Sequence, residues 1–282
     1  MFGFLNIYKP RGITSHDVVS KIRRITKIKQ IGHTGTLDPF AEGVLPVCIG
    51  KATRLIEYLN DDKAYIGTVQ FGQSTTTYDL EGEIVHTSHK CTDIKMIKNA
   101  LKKFIGDITQ IPPIYSAIKI NGKKLYEYAR KGEKIDITPR KATIQNIKIL
   151  NFDFEKQQAE IYIECSKGTY IRSIANDLGE ELGTYAHLVK LVRTKAGDFQ
   201  IDNAVKLETI DNIEKITSNL ISPLNILNYR TYDLNKNELI KVSNGNSINI
   251  NQDDGMILLL NNNEIKAVAD LNSGIAKCKK VF

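Results

Sequence analysis

The sequence predicts an α+β protein with one large domain and a small β-rich appendage. Segments that alternate apolar and polar residues, such as 63–72 and 159–166, interleave with segments whose apolar residues recur at helical spacing, such as 14–25 and 93–105. The run Val44-Leu45-Pro46-Val47-Cys48-Ile49 has the length and composition of a buried strand. From about Thr231 the chain becomes neutral overall and reads as short strands around one short helix. At 282 residues there is room for both units and an ample core.

In chain order, residues 2–8 read as a strand that ends in the turn Lys9-Pro10-Arg11-Gly12. Thr14-Ser15-His16-Asp17 offers caps to a helix whose apolar side is Val18, Val19, Ile22 and Ile25. That helix leads into Gly32-His33-Thr34-Gly35-Thr36-Leu37-Asp38-Pro39-Phe40-Ala41-Glu42-Gly43. Three glycines and a proline permit tight or left-handed turns there. With His33 and Asp38 between them, the stretch is either turn punctuation or an active-site loop anchored to the strand at 44–49.

A helix is expected over Lys51–Asn60, a strand over 63–72, a polar loop over 73–83 and a strand start at Ile84-Val85. An amphipathic helix over 93–105 stops before Gly106, and Ile111-Pro112-Pro113 breaks the structure. Tyr115–Lys141 contains the hairpin signal Asn121-Gly122 and a short helix from Leu125 that ends at Gly132. Strands follow over 142–154 and 159–166, then a helix from Ile174 to Leu182 stopped by Gly183, a strand over 188–194 and a helix over 203–217. The large domain is expected to span 1–230, with an insertion at about 113–141, and the small one 231–282. In the latter, 234–242 reads as a helix and 256–260 and 264–270 as a strand pair.

The formal net charge is +7, unevenly spread. Residues 1–30 hold seven Lys/Arg against one acid, and residues 119–141 hold eight against three, which together exceed the whole excess. Patch charging is the footprint of a nucleic-acid binder, with Lys-rich solvated faces as the alternative. The wider region from Tyr115 to Lys141 also carries Tyr115, Tyr126 and Tyr128 and has little apolar content, which suits a surface lobe that grips a phosphate backbone. No apolar run approaches the ~20 residues of a membrane span, and the first residues lack the pattern of a signal peptide. Cys48, Cys91, Cys165 and Cys278 lie far apart with no CxxC pair. Free thiols in a reducing cytoplasm are expected.

Several chemistries fail on residue pattern. Gly50-Lys51 is followed by Ala52 and preceded at the required distance by Leu45, so a P-loop is not formed. His86-x-x-His89-x-Cys91 is the one local cluster of metal-ligand types, in a polar segment with no fourth ligand near. A Gly-x-Ser-x-Gly elbow and a dinucleotide fingerprint are missing. Chemistry without cofactor or metal is therefore expected, centred on Asp38.

Gly32-His33-Thr34-Gly35-Thr36-Leu37-Asp38-Pro39, with Ala41-x-Gly43-Val44-Leu45 and Gly50-x-Ala52-Thr53, resembles the aspartate motif of the TruB-type tRNA pseudouridine synthases. Lys9-Pro10-x-Gly12-x-Thr14-Ser15 resembles that family's first motif, and Asp62-Lys63-x-Tyr65 its tyrosine motif. Ile111-Pro112-Pro113-x-Tyr115-Ser116-Ala117 through Gly122-Lys123-Lys124-Leu125-Tyr126-Glu127-Tyr128-Ala129-Arg130 resembles its RNA-gripping thumb. Cys165-Ser166-Lys167-Gly168-Thr169-Tyr170-Ile171-Arg172 matches its arginine motif. The resemblance covers residues 3 to about 200, and the tail is similar to the family's short PUA-like domain.

The resemblance implies a pseudouridine synthase fold with a mixed, mainly antiparallel sheet. It implies an enzyme that isomerises uridine 55 in the T loop of tRNA to pseudouridine after flipping the base out. Asp38 is expected as the catalytic nucleophile or base, and Arg172 as the partner that holds it ionised and aimed. Tyr65 is expected to stack on the uracil and handle the C5 proton, and His33 to fill the vacated space in the T loop. Tyr170 and Leu191 are expected to line the uridine pocket, and Lys9 and Pro10 to pack against the Asp38 loop. The expected partner is the T arm of tRNA, with no membrane, and the protein is expected to act as a monomer. Thr75-Thr76-Thr77 stands where the family commonly has Thr-Asp-Thr, which leaves that loop's role open. An RNA-binding or RNA-folding protein in which catalysis is incidental and a guide-RNA-directed catalytic subunit share the basic patches or the aspartate motif. Asp38, Tyr65 and Arg172 together favour an enzyme, and the thumb and brief tail favour a stand-alone one.

Overall fold

The computed structural model describes residues 1–282 except Ala117, Asn121 and Lys134, and describes Tyr126 and Arg130 by backbone alone. The expected turn residue Asn121 and the motif residue Ala117 thus lie outside the described residues, as do the motif side chains of Tyr126 and Arg130.

The chain begins with β1 (Gly3–Lys9), α1 (Ser15–Thr26), β2 (Ile31–His33), β3 (Glu42–Ile49), β4 (Lys63–Phe71) and the hairpin β5 (Gln73–Thr75) with β6 (Ile84–Thr87). Then come α2 (Ile94–Leu101), β7 (Gly106–Gln110), β8 (Lys119–Ile120), β9 (Lys123–Lys124) and α3 (Leu125–Arg130). β10 (Arg140–Asp153), β11 (Gln158–Cys165), α4 (Ile171–Leu182), β12 (Ala186–Ala196), β13 (Phe199–Gln200), β14 (Val205–Lys206) and α5 (Ile213–Ser218) follow. The remainder is β15 (Arg230–Asp233), α6 (Lys236–Ser243), β16 (Ile248–Asn249), β17 (Gly255–Asn261), β18 (Glu264–Asn272) and β19 (Ile275–Val281).

The large sheet runs β14-β1-β3-β12-β4-β11-β10-β7, with β2 on β3 and β13 on β12. Within this sheet, among the described residues, only β1 with β14 and β3 with β12 pair in parallel, so it is mixed and mainly antiparallel, as expected. The second sheet runs β15-β17-β18-β19-β16.

The apolar run at 44–49 reads as continuous because β3 is covered on both faces. Leu45, Val47 and Ile49 join the main core, together with Leu5 and Ile7 of β1 and Val18, Val19 and Ile22 of α1. Val44 and Cys48 point the other way, with Phe4, into a second core completed by Leu258, Leu260, Ile265 and Val268 of the small sheet. Phe282 sits on Phe2 and under the Arg54 guanidinium, whose Nη1 donates to the Val281 carbonyl at 2.7 Å. The appendage and the large sheet thus share a core.

α1 begins where its caps predict. Thr14 accepts from Asp17 N at 3.1 Å, and Asp17 Oδ2 accepts from Thr14 N at 2.8 Å, a reciprocal capping box. Several expectations need correction. Gly50–Tyr58 is a 3₁₀ rather than an α-helix, because Ala52, Leu55 and Tyr58 are spaced three apart and the tighter turn aligns them. The helix expected over 203–217 breaks up. Val205 pairs with Ile7 at the sheet edge, and Asn212 caps a separate α5 through a 2.9 Å bond from Lys215 N. β7 was not expected: Gly106 served only as the stop of the helix expected over 93–105, yet with φ +90° it also begins the pairing with β10. β5 forms within the expected loop by pairing with β6. α4 starts three residues before Ile174, since Tyr170 provides no side-chain cap to mark its start. β15, β16 and β19 complete a small sheet of which only the β17–β18 hairpin was expected.

Candidate active site

The Gly32–Gly43 loop leaves the sheet at β2 and returns at β3, and its neighbours hold it at several points. Ser15 Oγ, at the start of α1, accepts from Leu37 N at 2.8 Å and donates to Leu37 O at 3.0 Å. Lys9 is fully buried, and its Nζ donates to Pro10 O at 2.9 Å, Ile13 O at 2.7 Å and Pro39 O at 3.4 Å. Lys9 therefore packs against the loop, as expected. Of the three glycines, only Gly43 has a left-handed backbone, with φ +107°. A Cβ there would lie 2.3 Å from Arg193 O, where β3 meets β12.

These contacts aim Asp38 at Arg172, on the first turn of α4 and only 4 % exposed. Arg172 Nε lies 3.0 Å from Asp38 Oδ2, and Nη1 lies 3.1 Å from Asp79 Oδ2. Nη1 also donates to Thr77 O at 3.1 Å and Nη2 to Tyr115 O at 3.0 Å. One guanidinium thus joins two carboxylates, the β5–β6 loop and the base of the basic lobe, which suits its planar fork. The Asp38 side chain keeps 38 % exposure, on the wall of a partly open cavity. Burial raises its pKa, with Asp79 adding to the rise and Arg172 and Lys9 opposing it.

The cavity, about 540 Å³, is lined by Asp38, Tyr65, Tyr170, Arg172 and Leu191, with Lys63 and Arg193 on its wall. Tyr65 on β4 faces Arg193 on β12 in register, and both are buried. Burial raises the Tyr65 pKa, while the Arg193 charge and its hydrogen bond pull it down. Arg193 donates from Nε to Val44 O at 2.7 Å and from Nη2 to Gly35 O at 3.0 Å, tying the loop to β3. Gln110, at the end of β7, fixes the Tyr170 backbone by donating to its carbonyl at 3.1 Å and accepting from its N–H at 3.0 Å. His33 ends β2, half-buried and beside the cavity rather than on its wall. Burial, then Arg193 and His16, lowers its pKa, so the ring is neutral near pH 7.

Asp38, Tyr65, Tyr170, Arg172 and Leu191, expected from four separate stretches, converge on this cavity. Asp79, Lys63 and Arg193 were not singled out for a site. Their signals were an aspartate after the Thr-rich loop, a lysine inside the tyrosine motif, and an arginine on the buried phase of an alternating strand. The Thr75-Thr76-Thr77 departure is absorbed locally: Thr76 Oγ1 accepts from Glu83 N at 3.2 Å, an acceptor role open to an aspartate as well. Thr75 Oγ1 donates to Asp79 O at 2.7 Å and Thr77 Oγ1 to Asp79 Oδ1 at 2.5 Å, so the threonines hold Asp79 in place. Among the described residues no group of three metal-ligand types forms, and His86 stacks on Tyr185 at 4.9 Å.

The basic lobe consists of the β8–β9 hairpin and α3, with Lys119, Lys123, Lys131, Arg140 and Lys141 exposed on or beside it. In the N-terminal patch, Lys9, Lys21 and Arg23 are instead bonded to backbone carbonyls of the fold, which leaves Arg11, Arg24, Lys27 and Lys29 exposed.

Residues 23–171 match the family model described as TruB family pseudouridylate synthase (N terminal domain). Residues 172–227 match the one described as tRNA pseudouridylate synthase B C-terminal domain. The chain is 44% identical over 288 aligned residues to the tRNA pseudouridine synthase B of Ligilactobacillus salivarius, covering 96% of this chain and 95% of that protein. It is 40% identical to the one of Streptococcus pneumoniae serotype 4, with full coverage of both. Among solved structures, an H/ACA RNP bound to a substrate RNA containing 2′-deoxyuridine aligns with a TM-score of 0.71 at 23% identity. That alignment covers 100% of this chain and 85% of the other and shows a shared fold.

Proposed function

Because the chain belongs to the TruB family of pseudouridylate synthases, we propose that it isomerises uridine 55 in the T loop of tRNA to pseudouridine. The observation that carries this reading at the level of residues is the junction of Asp38, Arg172 and Asp79 in a cavity walled by Tyr65, Tyr170 and Leu191. Such a site suits a nucleotide drawn out of its stack, at a cost of a few kcal/mol.

In this reading Asp38 attacks the ribose as nucleophile or acts on it as base, and Arg172 orients and neutralises it. Burial raises the Asp38 pKa, and the Arg172 charge beside it opposes that rise and favours the carboxylate that the reaction needs. Tyr65 stacks on the uracil and serves the C5 proton, Tyr170 and Leu191 complete the pocket, and His33, neutral and beside it, fills the space left in the T loop. The exposed cations of the lobe hold the phosphate backbone of the T arm, which is read by shape and by splayed loop bases. We divide the chain into a catalytic domain over 1–230, with the lobe as its thumb at about 113–141, and a PUA-like RNA-binding domain over 231–282. No helix among the described residues is long and apolar enough to cross a membrane, which accords with a cytoplasmic site of action.

Tritium release from C5-labelled uridine in a T-arm stem-loop tests the reading. Wild-type protein releases the label, whereas Asp38→Asn binds the stem-loop and releases none. Absence of release by the wild type removes the activity, and release by Asp38→Asn removes the site assignment.

A further inference from the structure

Lys63 has no assigned task, yet it lines the cavity at 7 % exposure. The two-residue period of β4 places its side chain on the same face as that of Tyr65. Among the described residues its ammonium makes one hydrogen bond, to Asp61 O at 2.8 Å, and no salt bridge. The nearby Asp61 carboxylate pairs instead with Lys167 at 2.6 Å. A buried charge without an anion is costly, and two of the three ammonium protons remain free. Arg193 adds a second buried cation. A Cβ built on Gly35 would lie 3.7 Å from both Lys63 Cε and Arg193 Nη1, so the two cations flank the loop that presents Asp38.

We propose that Lys63 is a further catalytic residue: its ammonium faces the uracil ring and stabilises the negative charge the ring carries once the glycosidic bond breaks. The proposal rests on the isomerase reading above and names the group that receives the leaving base. As nucleophile, Asp38 forms a C1′ ester that attack by C5 displaces; as base, it takes the 2′ proton and returns it. On either route the N1–C1′ electron pair departs with the uracil and spreads over N1, O2 and O4. Rejoining through C5 releases the C5 proton and a proton returns to N1, so atoms and electrons balance without a co-reactant. A fixed cation in a water-poor site lowers the energy of that charge where it develops.

The groups facing Lys63 are Arg193 on β12, Cys165 on β11, and Asp61 and Asp62 just before β4. Burial and then Arg193 lower its pKa to about 8, against the two aspartates and Cys165. The stabilising charge is therefore present below about pH 8 and lost above it.

The test is single-turnover tritium release from the C5-labelled stem-loop against pH, beside stem-loop binding. Lys63→Met is expected to lower the rate about 10²–10³-fold with affinity unchanged, the usual effect of removing one such donor. Wild-type rates fall on an alkaline limb near pH 8, and Lys63→Arg keeps most of the rate while moving that limb upward by more than one unit. A Lys63→Met rate within about threefold of wild type overturns the proposal, as does loss of affinity in parallel with rate. So does an alkaline limb that Lys63→Arg leaves in place. A wild type that releases no tritium fails the isomerase reading itself, a different result from any of these.

Discussion

Arg172 Nη1 stands 3.1 Å from Asp79 Oδ2, and both side chains are almost sealed from solvent. The contact binds the site to the β5–β6 loop, whose threonines secure Asp79. Asp79 thereby aims the guanidinium from behind while Asp38 uses it from the front.

Asp79→Asn should retain folding and RNA affinity, because the amide can still accept from Arg172. Losing the charge-assisted bond lowers turnover by about ten- to a hundredfold. It also removes a negative neighbour that pushes the Asp38 pKa up, so the acid limb of the rate profile moves to lower pH. A rate–pH series on both proteins measures the two effects; an unmoved limb would contradict the coupling.

Gly43→Ala would place a methyl 2.3 Å from Arg193 O in a left-handed backbone. The parallel junction of β3 and β12 must then open, at a cost of about 2–4 kcal/mol. Urea unfolding reads this directly. Gly35→Ala is the control, since its Cβ would meet only ordinary 3.7 Å contacts.

Deleting residues 119–139 removes Lys119, Lys123 and Lys131 from the surface. Binding to the stem-loop weakens, and the slope of log K against log salt falls by roughly 0.7–0.9 for each phosphate that is no longer neutralised. Filter binding over a salt series gives the slope, and an unchanged one would mean that the lobe does not touch the RNA.

Cys48 and Cys165 are fully buried, and burial pushes each thiol up to about 12. Iodoacetamide at pH 8 should label exposed Cys91 in the folded protein and reach Cys48 and Cys165 only after unfolding. Peptide mass spectrometry at increasing urea follows both.

The elements that carry the fold were legible where local chemistry and tertiary context agree. Thr14 and Asp17 announce α1, and the alternation over 63–72 announces β4. β7 and β14 escaped because a few residues with turn-like or helix-like character become strands only when β10 and β1 offer their edges. At the site, Asp38, Tyr65 and Arg172 stood within motifs that could be quoted residue by residue. Arg193 did not, although a charge on the inward phase of β12 is itself a signal. The net charge of the first thirty residues overstated their surface role, because Lys9, Lys21 and Arg23 are committed to carbonyls inside the fold.

The core shared by Val44, Cys48, Leu258 and Leu260 has a mechanical consequence. β3, which follows directly on the Asp38 loop, is also the strand on which the small sheet is seated. The two sheets are packed against each other and not joined by the connecting chain alone. A shift of the small sheet is therefore felt first at β3, and through that strand at the loop that presents Asp38.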